Sequence, residues 1–320
     1  MSTRKFSVAA LLVLLAASIG ACSRQEEDQR ITLGFSQIGT ESAWRLANTE
    51  SIKSAAATSN IRLLFSDARQ KQENQIAALR EFIAQKVDVI AFAPVVSTGW
   101  DEVLREASAA GIPVILTDRA VDADPSLYAG FLGSDFVEEG RKAARWVVSQ
   151  FPEAPAEVAI VQLEGTTGSA PASDRKKGFE EILAQHSSFR IVDSRSGDFS
   201  RNGGRQAMAD ILEERGTGIR VVFAHNDDMA LGAIQAMEEA GLRPGRDILV
   251  VSIDAVREAF EAMISGKLNA TVECNPLMGP QLMTSVTEVV AGRPIAKRIV
   301  IDEQVFTADT ARQHIQTRKY

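Results

Sequence analysis

Six short tips in this 320-residue chain carry side chains suited to gripping a ligand rich in hydroxyls. "TESAWR" brings Glu41, Ser42, Trp44 and Arg45 together. "TDR" supplies Asp118 and Arg119, "SDRKKG" supplies Arg175, "GDFSR" supplies Phe199, "HNDD" supplies Asn226 and "SIDA" supplies Asp254. Among the best-placed charges, Glu41, Asp118 and Asp254 balance Arg45, Arg119 and Arg175. A phosphate or carboxylate ligand would call for surplus positive charge. A balanced set suits a neutral polyol, because a carboxylate accepts from neighbouring hydroxyls, a guanidinium donates a fork and an amide does one of each. The rings of Trp44 and Phe199 would cover the C–H faces of a sugar ring.

Other chemistries find less support. The three histidines are His186, His225 and His314, and none sits in a G-x-S-x-G, H-E-x-x-H or C-x-x-C setting, so no catalytic residue is assigned. His225 with Asp227 and Asp228 is a weak metal candidate, since consecutive residues at a strand end point in different directions, and no metal or cofactor is expected. Asp227 and Asp228 read as N-caps of the following helix, and Trp100 and Trp146 as packing residues at helical spacing. "RNGGRQ" reads as a turn rather than a phosphate loop.

The elements that must position these tips alternate throughout. Ten β-rich runs, among them "ITLGFSQI", "VDVIAFAPV", "DILVVSID" and "KRIVIDEQV", are separated by helical segments such as "KQENQIAALREFIAQK" and "FVEEGRKAARWVVSQF". That rhythm predicts parallel sheets with helices on both faces. Ten strands are many for one twisted open sheet, so two lobes are expected, with a border at residues 126–135, where Gly130 and Gly133 interrupt an apolar stretch. In such sheets ligands bind beyond the carboxyl ends of the strands, which is where all six tips fall.

Composition agrees with a globular protein: 45% of residues are hydrophobic, and the formal net charge of −7 argues against coating nucleic acid or anionic lipid. Arg4 and Lys5 precede the apolar run "FSVAALLVLLAASIGA", which fits a signal-peptide core at residues 1–21. Gly20 and Ala21 before Cys22 resemble a lipobox, making Cys22 the expected lipidation site and residues 22–30 a polar tether. With Cys274 then the one remaining thiol, no disulfide framework is expected.

The stretches "GFSQIGTESAWR", "APVVSTGW", "DRKKGF", "SGDFSR", "AHNDDMALGAIQAMEEAGL" and "NATVECNPLMGP" resemble the periplasmic sugar-binding proteins of bacterial ABC transporters, of the ribose-binding type, and within that group the galactofuranose-binding members. The resemblance covers residues 31–320. It implies an α/β type I periplasmic binding protein fold: two doubly wound parallel-sheet lobes joined by a three-stranded hinge, with residues 31–132 plus 275–303 in the N-terminal lobe and 133–274 plus 304–320 in the C-terminal lobe. It further implies a monosaccharide ligand held by Glu41, Ser42, Ala43, Trp44, Arg45, Asp118 and Arg119 from one lobe, with Arg175, Asn226 and Asp254 from the other and Phe199 covering the ring. Ala43 stands where glycine is expected, which would narrow the pocket. The implied partners are an ABC permease and its ATPase, the expected state is a monomer in the periplasm or at the cell surface, and the membrane is met through the lipid alone. A chemoreceptor or sensor-kinase role would use the same binding chemistry. A LacI-type regulator shares the core but needs a basic helix-turn-helix ahead of it, where this chain has a signal peptide and an acidic tether.

Overall fold

The computed structural model describes residues 30–153 and 157–320; the expected signal peptide and Cys22 lie outside the described residues. Twelve strands occur among them: β1 (Thr32–Gln37), β2 (Arg62–Asp67), β3 (Val89–Phe92), β4 (Val114–Thr117), β5 (Gly130–Gly133), β6 (Val158–Glu164), β7 (Phe189–Ser196), β8 (Val221–Ala224), β9 (Leu249–Asp254), β10 (Ala270–Glu273), β11 (Arg298–Val300) and β12 (Val305–Thr307). The helices are α1 (Ala43–Thr58), α2 (Gln72–Ala84), α3 (Asp101–Ala109), α4 (Phe136–Ser149), α5 (Ala170–Leu183), α6 (Arg201–Arg215), α7 (Asp227–Glu239), α8 (Arg257–Ile264), α9 (Gly279–Val290) and α10 (Ala311–His314). No helix among the described residues is long and apolar enough to cross a membrane.

The strands form two six-stranded sheets, ordered β11-β5-β4-β3-β1-β2 and β12-β10-β9-β8-β6-β7. Each is covered on both faces, which explains strands such as "VIAF" with every residue buried. Val89 and Ala91 belong to a core shared with Leu33, Phe35 and Ile52. Their neighbours Ile90 and Phe92 enter the opposite core with Leu79, Phe82, Trp100 and Leu104.

The chain passes between the sheets three times: after β5, between β10 and α9, and between β11 and β12. The stretches at two of these crossings hold strands that the sequence reading did not separate. The stretch taken as a border contains β5, paired parallel to β4 and β11. The run "KRIVIDEQV", read as one strand, is cut by the third crossing: β11 joins the first sheet, and β12 joins the second antiparallel to β10. Its β-branched residues Ile299, Val300, Ile301 and Val305 suit two short edge strands as well as one longer strand. The segments of α8 and α9 are helical in addition to those read from periodicity.

One helix contact positions the site. Helices α4 and α5 meet backbone to backbone, because a Cβ on Gly140 would lie 2.1 Å from the Arg175 carbonyl oxygen and one on Gly178 would lie 1.9 Å from that of Val137. Glycine is therefore required at both positions, and the close approach sets Glu139 of α4 against Arg175 of α5.

Candidate functional site

A small cavity opens where the carboxyl edges of the two sheets converge, lined by Glu41, Ser42, Trp44, Arg45, Asp118, Arg119, Phe136, Pro171, Arg175, Phe199, Asn226, Asp254 and Cys274. All the tips singled out from the sequence thus meet in one place.

On the first lobe's side, Ser42 caps α1 by accepting from Arg45 N at 3.2 Å. Arg45 therefore sits in the first turn, where a cation opposes the helix dipole. Carboxylates offset this: its Nε donates to Glu41 at 3.0 Å, its Nη2 to Asp118 at 2.7 Å, and its Nη1 to the Gln37 amide oxygen. Burial opposes ionisation of Glu41, but the Arg45 and Arg119 guanidiniums outweigh it and hold the carboxyl below its usual range. Arg119 donates Nη1 to the Val95 carbonyl; burial and repulsion from Arg45 lower its guanidinium to about 10, which keeps it charged at neutral pH. Glu41 Oε2 and Arg119 Nε are buried without a hydrogen-bond partner, Arg119 Nε standing 3.8 Å from Asp118 Oδ2. Orphaned polar atoms on two lining residues are hydrogen-bonding capacity that a ligand would satisfy.

On the other side, Arg175 donates Nε to Glu139 at 2.7 Å and Nη1 to the His225 carbonyl at 2.5 Å, and its Nη2 stands 3.7 Å from Asp254. Burial pushes the Asp254 carboxyl well above its usual range, against the pull of Arg175 and with repulsion from Asp227. Rings enclose the space. Trp44 is buried beneath the Arg45 guanidinium, 4.6 Å from its ring, and its indole N–H donates to the Cys274 carbonyl at 2.6 Å. Phe199 lies 5.2 Å from the Arg119 guanidinium and 5.9 Å from that of Arg175. Asp118 (φ 61°), Phe199 (φ 56°) and Asp254 (φ 128°) all adopt backbone conformations that L-residues rarely take. Such strain, about 1–3 kcal/mol per residue, gathers where side-chain direction matters.

Several expectations change. Ala43 is not among the residues lining the cavity, and its N–H donates to Asp228 Oδ2 at 2.8 Å. Asn226, not either aspartate, caps α7, accepting from Met229 N and donating to the Phe199 carbonyl. Asp227 is buried, accepting from Ser252, Thr271 and Val256 N, so it diverges from His225 as strand-end geometry requires. Phe136, Pro171 and Cys274 are additions. Phe136 follows β5, so recognising that strand would have pointed to it, and Cys274 is the last residue of the run "NATVEC", read as a strand, directly after β10.

Among the described residues, Glu139, Cys274 and Glu303 are the one grouping with donor atoms close enough for a cation, within 4.8 Å of one another. Arg175 already holds one Glu139 oxygen, while Ser134 and Asn275 N donate to Glu303 Oε1. Burial and the Glu139 charge push the Glu303 carboxyl up to about 9. Protein donors thus already engage an oxygen of each carboxyl, which leaves less for a cation.

The periplasmic binding protein domain model matches residues 33–294. The chain belongs to that family. It is 42% identical to the galactofuranose-binding protein YtfQ of Escherichia coli, over 96% of this chain and 98% of that protein. Among solved structures, a Mycobacterium smegmatis protein in complex with β-D-fucofuranose is 53% identical with a TM-score of 0.89, covering 91% of this chain and 95% of that one. The binding component of the arabinose transporter of Shewanella sp. ANA-3, bound to α- and β-L-arabinofuranose, is 44% identical with a TM-score of 0.87, over 90% and 95%. The two sheets and three crossings are thus the type I periplasmic binding protein fold, with the cavity in its interlobe cleft.

Proposed function

We propose that this protein captures a monosaccharide in its furanose form outside the cytoplasm and delivers it to an ABC permease. The observation that carries this reading is the charge-balanced, ring-walled cavity, whose remaining polar capacity is split between acceptor and donor at Glu41 and Arg119. An anion would be opposed by Glu41 and Asp118, the two carboxylates that pair with Arg45. The furanose preference follows the sugars named for relatives at 42–53% identity. The ligand set is that predicted from the sequence, with Ala43 replaced by Phe136 and Pro171. No chemistry on the sugar is assigned: none of the three histidines lines the cavity, and burial drives His225 well below its usual range.

Lobe boundaries are placed at residues 31–132 plus 275–303 and 133–274 plus 304–320, with closure of one lobe on the other as the signal that the permease reads. The protein acts as a monomer tethered through lipidated Cys22. Titration calorimetry with D-galactose, D-fucose, L-arabinose and D-ribose tests the reading. Binding of at least one sugar tighter than about 100 μM supports it, and the absence of binding to all four refutes it.

A further inference from the structure

Outside the cavity, the two lobes touch through a carboxylate that neither the cavity nor its own helix uses. Asp228 stands in the first turn of α7 and is buried, yet it does not line the cavity. Its Oδ2 accepts from Ala43 N at 2.8 Å, the first N–H of α1 in the opposite lobe. Its Oδ1 accepts from Arg201 Nε and Nη2 at 3.1 and 2.9 Å, and Arg201 is anchored in turn by Glu258 at 2.8 Å. Helix α1 has no acidic residue in its first turn, so Asp228 supplies from across the cleft the negative charge that this helix end favours. A second contact of the same kind joins Ser97 to Gly168, whose carbonyl accepts from Ser97 N at 3.0 Å and Oγ at 3.1 Å.

We propose that Asp228 is a closure latch: a positioning residue that stabilises the closed arrangement of the lobes without touching the sugar, by capping the N-terminus of α1 across the cleft. This rests on the sugar-binding reading of the cavity. Opening must separate Ala43 from Asp228, so the contact exists in the closed state alone and adds to the affinity of every ligand by the same factor. Arg201 holds the carboxylate in the C-terminal lobe, ready to receive α1 when the lobes meet. The backbone of residue 43 is the receiving group, so an alanine serves there as well as glycine would.

The test compares wild type, Asp228→Ala and Asp228→Asn for binding of L-arabinose and D-fucose, with dissociation rates from stopped-flow tryptophan fluorescence. Loss of one charge-assisted hydrogen bond raises Kd by about tenfold or more in Asp228→Ala. The increase appears in the dissociation rate and is equal for the two sugars. Asp228→Asn, which keeps an acceptor for Ala43 N, recovers part of the loss, and the Tm of the sugar-free protein stays within about 2 °C. An unchanged Kd overturns the latch. So does a Kd ratio between the two sugars that shifts more than threefold, which would mean direct contact with the ligand. A sugar-free Tm that collapses along with binding overturns it too, by making Asp228 a residue of the fold. If the wild type binds neither sugar, the proposed function falls, and small-angle scattering still decides the latch: a sugar-free wild type more compact than Asp228→Ala supports it, and identical radii of gyration overturn it.

Discussion

Glu303→Gln should flatten the pH dependence of stability, because Glu303 ties all three crossings through one buried carboxyl. It lies on the third crossing, and its Oε1 accepts from Ser134 Oγ of the first at 2.6 Å and from Asn275 N of the second at 3.0 Å. The Lys142 ammonium reaches its backbone carbonyl. Facing the carboxyl are Glu139 of α4, which Arg175 of α5 pairs, and the Cys274 thiol, with Asp254 beyond Arg175. The folded carboxyl titrates at about 9 and an unperturbed one at 4.5. Between those values the native state holds a proton that the unfolded chain has released. The contribution is therefore complete below about pH 4.5, lost as pH rises, and gone above about 9. One proton makes the slope about −1.4 kcal/mol per pH unit. From pH 6 to pH 8 that is about 2.7 kcal/mol, or roughly 5 °C of Tm in a protein this size. Glutamine keeps the carbonyl that Ser134 and Asn275 need and offers its amide to Glu139, whose Oε1 is otherwise without a partner, and it carries no proton to lose. Thermal melts of both proteins from pH 5.5 to 8.5 check this. The variant should have the shallower slope and the higher Tm at pH 8. Parallel slopes would refute the raised titration of Glu303, since the other titrating groups are common to both proteins.

Four further outcomes are expected. Trp44→Phe keeps a ring over the cavity but strands the buried Cys274 carbonyl, costing about 1–3 kcal/mol of fold stability in urea melts. Trp44→Ala adds a loss of about 1–3 kcal/mol in sugar affinity, read by calorimetry. Gly165→Ala would place a Cβ 1.9 Å from Phe199 Cζ, driving that ring into the cavity; affinity should fall by roughly a hundredfold or more, about 2.7 kcal/mol, and Phe199→Ala in the same chain should restore part of it. Asp118→Ala removes one anion from buried Arg45 and should destabilise by about 3–5 kcal/mol in urea melts, with Asp118→Asn milder. Cys22→Ser should move the protein from the membrane to the soluble fraction, and unchanged fractionation would remove the lipid tether.

What the sequence determined by itself was the half of the problem that is local. A buried parallel strand reads as a continuous apolar run, and the residue at its carboxyl end must face the loops, so Glu41, Asp118, Phe199, Asn226 and Asp254 could be picked from strand ends alone. Charge balance among those tips already favoured a neutral ligand over an anionic one. Tertiary structure decided everything that depends on one lobe facing the other. Asp228 looks like a helix cap until α1 of the opposite lobe is set against it, and Ala43 looks like a pocket wall until its N–H is seen to point at Asp228. "KRIVIDEQV" carries the β-branched residues of one strand, and only the path of the chain assigns its two ends to different sheets. Glu303 falls in the middle of that path. Local periodicity is blind to it because its partners Ser134 and Asn275 are 169 and 28 residues away in the chain. Side-chain period reports which face a residue takes on its own element, whereas the closing of a cleft depends on contacts between elements whose separation in sequence carries no pattern.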